Sequence, residues 1–180
     1  MAFNVTEFRS NMIGDGARAN LFEIAMTPKF AGSNVAEKLK FTAKAAQLPG
    51  STLGTTPVYY FGREIKMAGN RTFADWTITV INDEDFVVRN SLESWMNAIN
   101  SHAGNVRNIL PTNDYFTDAE VIQYTKTGQE AKKYRFVGMF PVDVSPIDLD
   151  WGTNDAIEEF SVTFAYQWWE SNSTDNSAYL

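Results

Sequence analysis

The stretch AGNRTFADWTITVINDE, residues 68–84, changes its hydrophobic period partway through, and that change decides the fold. Over 72–81, Trp76, Ile78 and Val80 alternate with Asp75, Thr77 and Thr79. A period of two belongs to a strand with one face on a core. Beyond it the spacing becomes Val88, Leu92, Trp95, Met96 and Ile99, the stripe of an amphipathic helix over about 83–100. Asn82 suits the N-cap, and Asp83, Glu84 and Asp85 suit a first turn, where carboxylates face the positive end of the helix dipole.

Other segments repeat the strand signal. Strands are expected at 20–26, 62–68, 120–126, 132–140, 142–151 and 159–168, with a turn at Asn70-Arg71 and a hairpin turning at Thr127-Gly128-Gln129. Segment 37–46 alternates too: Leu39, Phe41, Ala43 and Ala45 against Lys38, Lys40, Thr42 and Lys44. Phe160, Val162, Phe164, Tyr166 and Trp168 form the longest inward row, with Trp169 left as the surface ring. Residues 47–61 form a long connection punctuated by Pro49-Gly50, Gly54 and Pro57, whose apolar end, Val58 to Phe61, is unsuited to an idle surface loop. Residues 1–18 are expected to be an N-terminal arm, 19–170 the β domain and 171–180 a polar C-terminal tail. Seven or eight strands with one helix predict a mainly β protein, a β-sandwich or barrel with a flanking helix.

Composition narrows the function. A chain of 180 residues suits one domain. A formal net charge of −7 removes any general attraction for a phosphate backbone. The absence of cysteine leaves neither disulfide nor thiolate metal site. No secretory signal and no apolar run long enough to span a bilayer is apparent, so the chain is expected to be soluble, cytoplasmic when made and without a membrane anchor.

Catalytic patterns are missing. His102 is the only histidine, no Gly-x-Ser-x-Gly elbow occurs, and the glycines fit no phosphate cradle, so no enzyme and no cofactor is expected. Asp83-Glu84-Asp85 could hold a cation, but helix capping accounts for the triplet. Asp148, Asp150 and Asp155 around Gly152 lack the spacing of a calcium loop. Lys38, Lys40 and Lys44 could form a nucleic-acid stripe, yet a solvated strand face fits the net charge better.

Residues 68–84 running into a helix resemble the most characteristic stretch of the tail tube proteins of T4-like contractile bacteriophages. ARANLF (17–22), KAAQLP (44–49), GMFP (138–141), and LDW (149–151) leading to EFSVT (159–163) match in order and spacing, so the resemblance covers about 17–170. It implies a structural virion protein, made in the host cytoplasm. Its homohexameric rings would stack into the inner tube of a tail, beside sheath, baseplate and tail terminator proteins. Genome DNA would pass transiently, without sequence-specific binding. It further implies lumen-lining strands near 37–46, 62–68, 120–126 and 132–138, which would carry Lys38, Lys40, Thr42, Lys44, Glu64, Lys66 and Glu120. A conduit should not hold DNA, so acids at Glu37, Glu64, Glu120 or Glu130 are expected to offset the lysines. Contacts between subunits or rings are expected from Phe3 and Phe8 of the arm and from Val58, Tyr59 and Tyr60. The alternatives are a tube of a bacteriocin or type VI secretion-like device and, more remotely, a carbohydrate-binding β-sandwich.

Overall fold

The computed structural model describes residues 4–30, 32, 34–107 and 111–174. The chain begins with α1 (Val5–Asn11) and a 3-10 turn, Ile13–Asp15, then enters β1 (Phe22–Met26), α2 (Val35–Thr42) and β2 (Ala43–Ala46). A long hairpin follows, β3 (Thr52–Tyr60) and β4 (Arg63–Thr72), before β5 (Trp76–Ile81) and α3 (Val87–Ile99). A short α4 (Thr112–Tyr115) precedes β6 (Thr117–Tyr124), β7 (Glu130–Val144), β8 (Glu159–Ala165) and β9 (Trp168–Ser171). The mainly β class is as expected.

Two sheets share one long strand. The first half of β7 pairs with β6 and β9, and its second half pairs with β8. One sheet is therefore β1-β6-β7-β9 and the other β7-β8-β5-β2, antiparallel throughout. The bend lies at Gly138, whose φ of +64° suits glycine, and whose N–H donates to the Asp118 carboxylate at 3.1 Å. A bulge in β6 and another after Pro141 flank it. The GMFP motif is thus the corner of the sandwich.

Between the sheets lie Ile24, Ile78, Val80, Val121, Phe136, Val162 and Phe164, all essentially fully buried. Trp76 stacks on Phe136 with ring centroids 4.4 Å apart, and Trp95 of α3 reaches Phe164 at 6.5 Å. Both indoles are satisfied, Trp76 donating to the Gln47 carbonyl at 2.8 Å and Trp95 to that of Tyr115 at 2.9 Å.

Several expectations need correction. Segment 37–46 is a helix for most of its length, since Val35 and Leu39, one helical turn apart, are both buried while Phe41 is exposed. Only Ala43–Ala46 is strand. The 47–61 connection is largely β3, and Asn70-Arg71 is not a turn but lies within β4. Pro57 is tolerated because, among the described residues, the hairpin has no third strand to need its N–H. α3 starts later than expected: Phe86 is its N-cap, Asn82 continues the β5–β8 ladder through Glu158, and Asp83-Glu84-Asp85 forms the turn before the helix. Segment 142–151 leaves the sheet at Val144, just before Pro146. The 159–168 row breaks after Ala165, so Trp168 is exposed and Trp169 is the ring packed against the core. The flanking helix therefore has company: α1, α2 and α4 are also helical.

Candidate functional site

The β3–β4 hairpin is the most conspicuous surface. Among the described residues it bonds to no other strand, and nearly all its residues are exposed. Isolated two-stranded ribbons are at best marginally stable in water. Register places Tyr60 with Arg63, Val58 with Ile65 and Thr56 with Met67, so Val58, Tyr60, Ile65 and Met67 share one uncovered, mostly apolar face. Tyr59 lies on the other face opposite Glu64, with Pro57 opposite Lys66.

The hairpin's tip spends conformational energy on an aromatic ring. Phe61 and Gly62 both have positive φ, +45° and +79°, which is a two-residue type I′ turn. Asparagine is the usual first residue there, and a bulky side chain in the left-handed region is strained. Phe61 is nonetheless 92% exposed, with its ring edge-on to that of Tyr60 at 4.6 Å. The root is fixed: Trp169 donates to the Gly50 carbonyl at 3.0 Å, Trp76 to Gln47, and Arg71 to the Ser51 hydroxyl at 3.0 Å. Near the root a bulge sets Gly54 against Gly69, where a Cβ on Gly69 would lie 3.2 Å from the Gly54 backbone.

A second surface is charged. On the outer face of the β1-β6-β7-β9 sheet, Lys133 pairs with Glu120 at 2.7 Å and Arg135 with Asp118 at 2.6 Å. Lys40 reaches from α2 to Glu23 at 2.8 Å, and Tyr124 donates to the same carboxylate at 3.0 Å. The Lys40 bond holds Glu23 below the usual carboxylate range, and Glu23 raises both Lys40 and Tyr124. These groups border an open groove of about 780 Å³ that includes Glu23, Lys40, Asp118, Glu120 and Arg135.

Of the seven lumen candidates, only Lys40 and Glu120 meet on this surface. Lys38 instead bonds Asp83 at 2.7 Å and also Asp85, and this raises Lys38 and lowers Asp85. Lys44 pairs with Glu159 at 2.6 Å. Thr42 turns its hydroxyl back to the Lys38 carbonyl, and Glu64 and Lys66 lie out on the hairpin. The lysines of α2 and β2 are offset by acids, but by Asp83, Asp85, Glu23 and Glu159, partners that only the folded chain brings near.

In the arm, Phe8 is exposed on α1 beside Val5, and Ile13 is 95% exposed. Phe3 lies outside the described residues. His102 is exposed and bonds only Asn97 among the described residues, and no cluster of metal-ligating side chains occurs among them.

The family model described as phage tail tube protein matches residues 4–172. The tail tube protein gp19 of Enterobacteria phage T4 is 34% identical over 158 residues, spanning 87% of this chain and 93% of that protein. The tail tube protein of Serratia phage KSP90 is 27% identical over 166 residues, spanning 90% and 93%. Among solved structures, a chain of an extracellular contractile injection system (PVC sheath/tube terminator, extended state) aligns with a TM-score of 0.63 at 13% identity, over 87% of this chain and 96% of that one. At that identity the likeness concerns the fold.

Proposed function

Because the chain belongs to the phage tail tube protein family, we propose that its copies close into hexameric rings which stack as the inner tube of a contractile tail. The protein is a structural component of the tail; the family's role is not catalytic, and we assign this chain no reaction. The observation that carries the assembly reading is the β3–β4 hairpin, long, mostly apolar on one face and paired with no other strand among the described residues. A ribbon of that kind is stabilised when a neighbouring copy covers it, and repetition around a ring multiplies each modest contact.

In this reading the charged face bordered by Lys40, Glu120 and Arg135 turns toward the lumen. Cations already bonded to acids attract a phosphate backbone weakly, which suits a conduit that DNA must cross without being held. Sheath, baseplate and terminator proteins are the partners of such a tube, and the finished tube is part of the virion. Negative-stain microscopy of the purified protein tests the proposal. Rings or polymers of one uniform diameter are expected; a monomer under every condition that favours polymerisation would overturn it.

A further inference from the structure

The hairpin and the segment joining β7 to β8 leave the β7-β8-β5-β2 sheet at opposite ends. The hairpin is rooted where Ala46 and Trp76 lie, near Phe164. Residues 145–158 are rooted where Ile81 pairs with Glu159. Five residue steps along β5 separate the two ends, roughly 17 Å.

These ends are chemically complementary. The hairpin carries Arg63, Lys66 and Arg71 against the single acid Glu64, so it is cationic within an acidic protein. Segment 145–158 has no basic residue and carries Asp148, Asp150, Asp155 and Glu158. It also exposes large apolar side chains to solvent: Leu149 at 79%, Ile157 at 71% and Trp151 at 101%. Trp151 sits at a turn held by Asp150, whose carboxylate accepts the Gly152 N–H at 2.9 Å. The Arg89 side chain donates to the Ser145 carbonyl at 3.2 Å, which ties the start of the segment to α3. A presented tryptophan next to Asp150 in an acidic segment suits a cationic, aromatic partner, because desolvated tryptophan anchors concentrate binding energy and opposite potentials fix register.

We infer that Trp151 and its acidic neighbours receive the β3–β4 hairpin of a second copy, a head-to-tail contact between opposite ends of the same sheet. Two different patches meet, so the contact is heterologous and propagates. Tyr60, Ile65 and Met67 lie against Leu149, Trp151 and Ile157, and Arg63, on the same face, meets Asp150 and Asp155; Lys66, on the reverse face, adds to the positive field of the hairpin. The inference rests on the tube reading and names the surface that accepts the hairpin.

The absence of cysteine makes the contact directly testable. A chain carrying both Thr56→Cys and Thr153→Cys, exposed positions beside the contact that leave Tyr60 and Trp151 in place, is assembled and treated with a short bismaleimide. A ladder of covalent multimers on a denaturing gel is expected, and neither single-cysteine variant extends beyond a pair. Tubes that form normally yet give no ladder would overturn the inference while leaving the tube reading intact; failure of the unmodified chain to form any ring or polymer would strike the tube reading. As a second measurement, D150K/D155K is expected to lower polymer yield about tenfold or more at unchanged circular dichroism. Adding R63E/K66E to the same chain restores it. Wild-type yield from D150K/D155K, or no recovery on adding R63E/K66E, counts against the contact.

Discussion

Trp169 and Gly50, far apart in sequence, are joined by an indole-to-carbonyl hydrogen bond of 3.0 Å. The bond pins the segment from which the β3–β4 hairpin departs to β9, whose Trp169 ring packs edge-on to Phe73 and Tyr134. Trp169→Phe keeps a ring and removes the donor. A loss of about 0.5–1.5 kcal/mol is expected in denaturant unfolding, with faster proteolytic cleavage between 47 and 51. Equal cleavage rates in the two proteins would show that the root is held by other means.

Gly138 is the hinge between the two sheets. A Cβ there would lie 2.9 Å from the Gln167 side chain, on a backbone already at positive φ. Gly138→Ala is expected to cost about 1–3 kcal/mol in unfolding free energy. An unchanged denaturation midpoint would mean that the corner relaxes freely.

Phe61→Asn separates folding from assembly. Asn-Gly is a favoured pair for a type I′ turn, so the hairpin keeps its shape and subunit stability stays within about 0.5 kcal/mol or rises. Tube yield by microscopy is expected to fall, because the ring at the tip is gone. Full-length, abundant tubes from the variant would remove Phe61 from the interface.

Deleting residues 1–13 is expected to leave a folded subunit, since α1 contributes no buried residue among those described. Tube growth should nonetheless be impaired through loss of the exposed Val5, Phe8 and Ile13. Tubes of normal length from the truncated chain would exclude the arm from assembly.

The Glu23–Lys40 pair sets an acid-side dependence. Lys40 holds the Glu23 carboxyl below its unfolded value, so the stabilisation is present above the ordinary carboxylate range and is lost as pH falls through the folded pKa. Lys40→Met should flatten the acidic limb of a stability-against-pH curve while changing little of its shape at neutrality. Identical limbs would leave the pair without effect on folding.

How much was legible in the sequence follows from the kind of information each feature needs. Trp76, Ile78 and Val80 announced a buried strand, and Val88, Leu92 and Trp95 a buried helix face, because side-chain periodicity reports which way a residue points. The hairpin at Gly128 was equally local. Segment 37–46 misled because six or so residues with apolar groups two apart also satisfy a helix once Val35 joins Leu39 across a turn. Charge partners were the least accessible. Lys38 with Asp83, Lys40 with Glu23 and Lys44 with Glu159 pair across α2, β1, β2, β8 and the turn before α3, distances in sequence that no period encodes.

The residue order alone settled that the strand ending near Ile81 gives way to a helix, though not where that helix starts, and it settled the mainly β class and the resemblance to tail tube proteins, since each depends on side chains a few positions apart. Tertiary structure decided that 52–72 stands out as a free ribbon, that β7 serves two sheets by bending at Gly138, and that Trp169 faces inward while Trp168 faces water. Those outcomes depend on which strands find hydrogen-bonding neighbours, and a strand's pattern looks the same whether its edges are paired or bare.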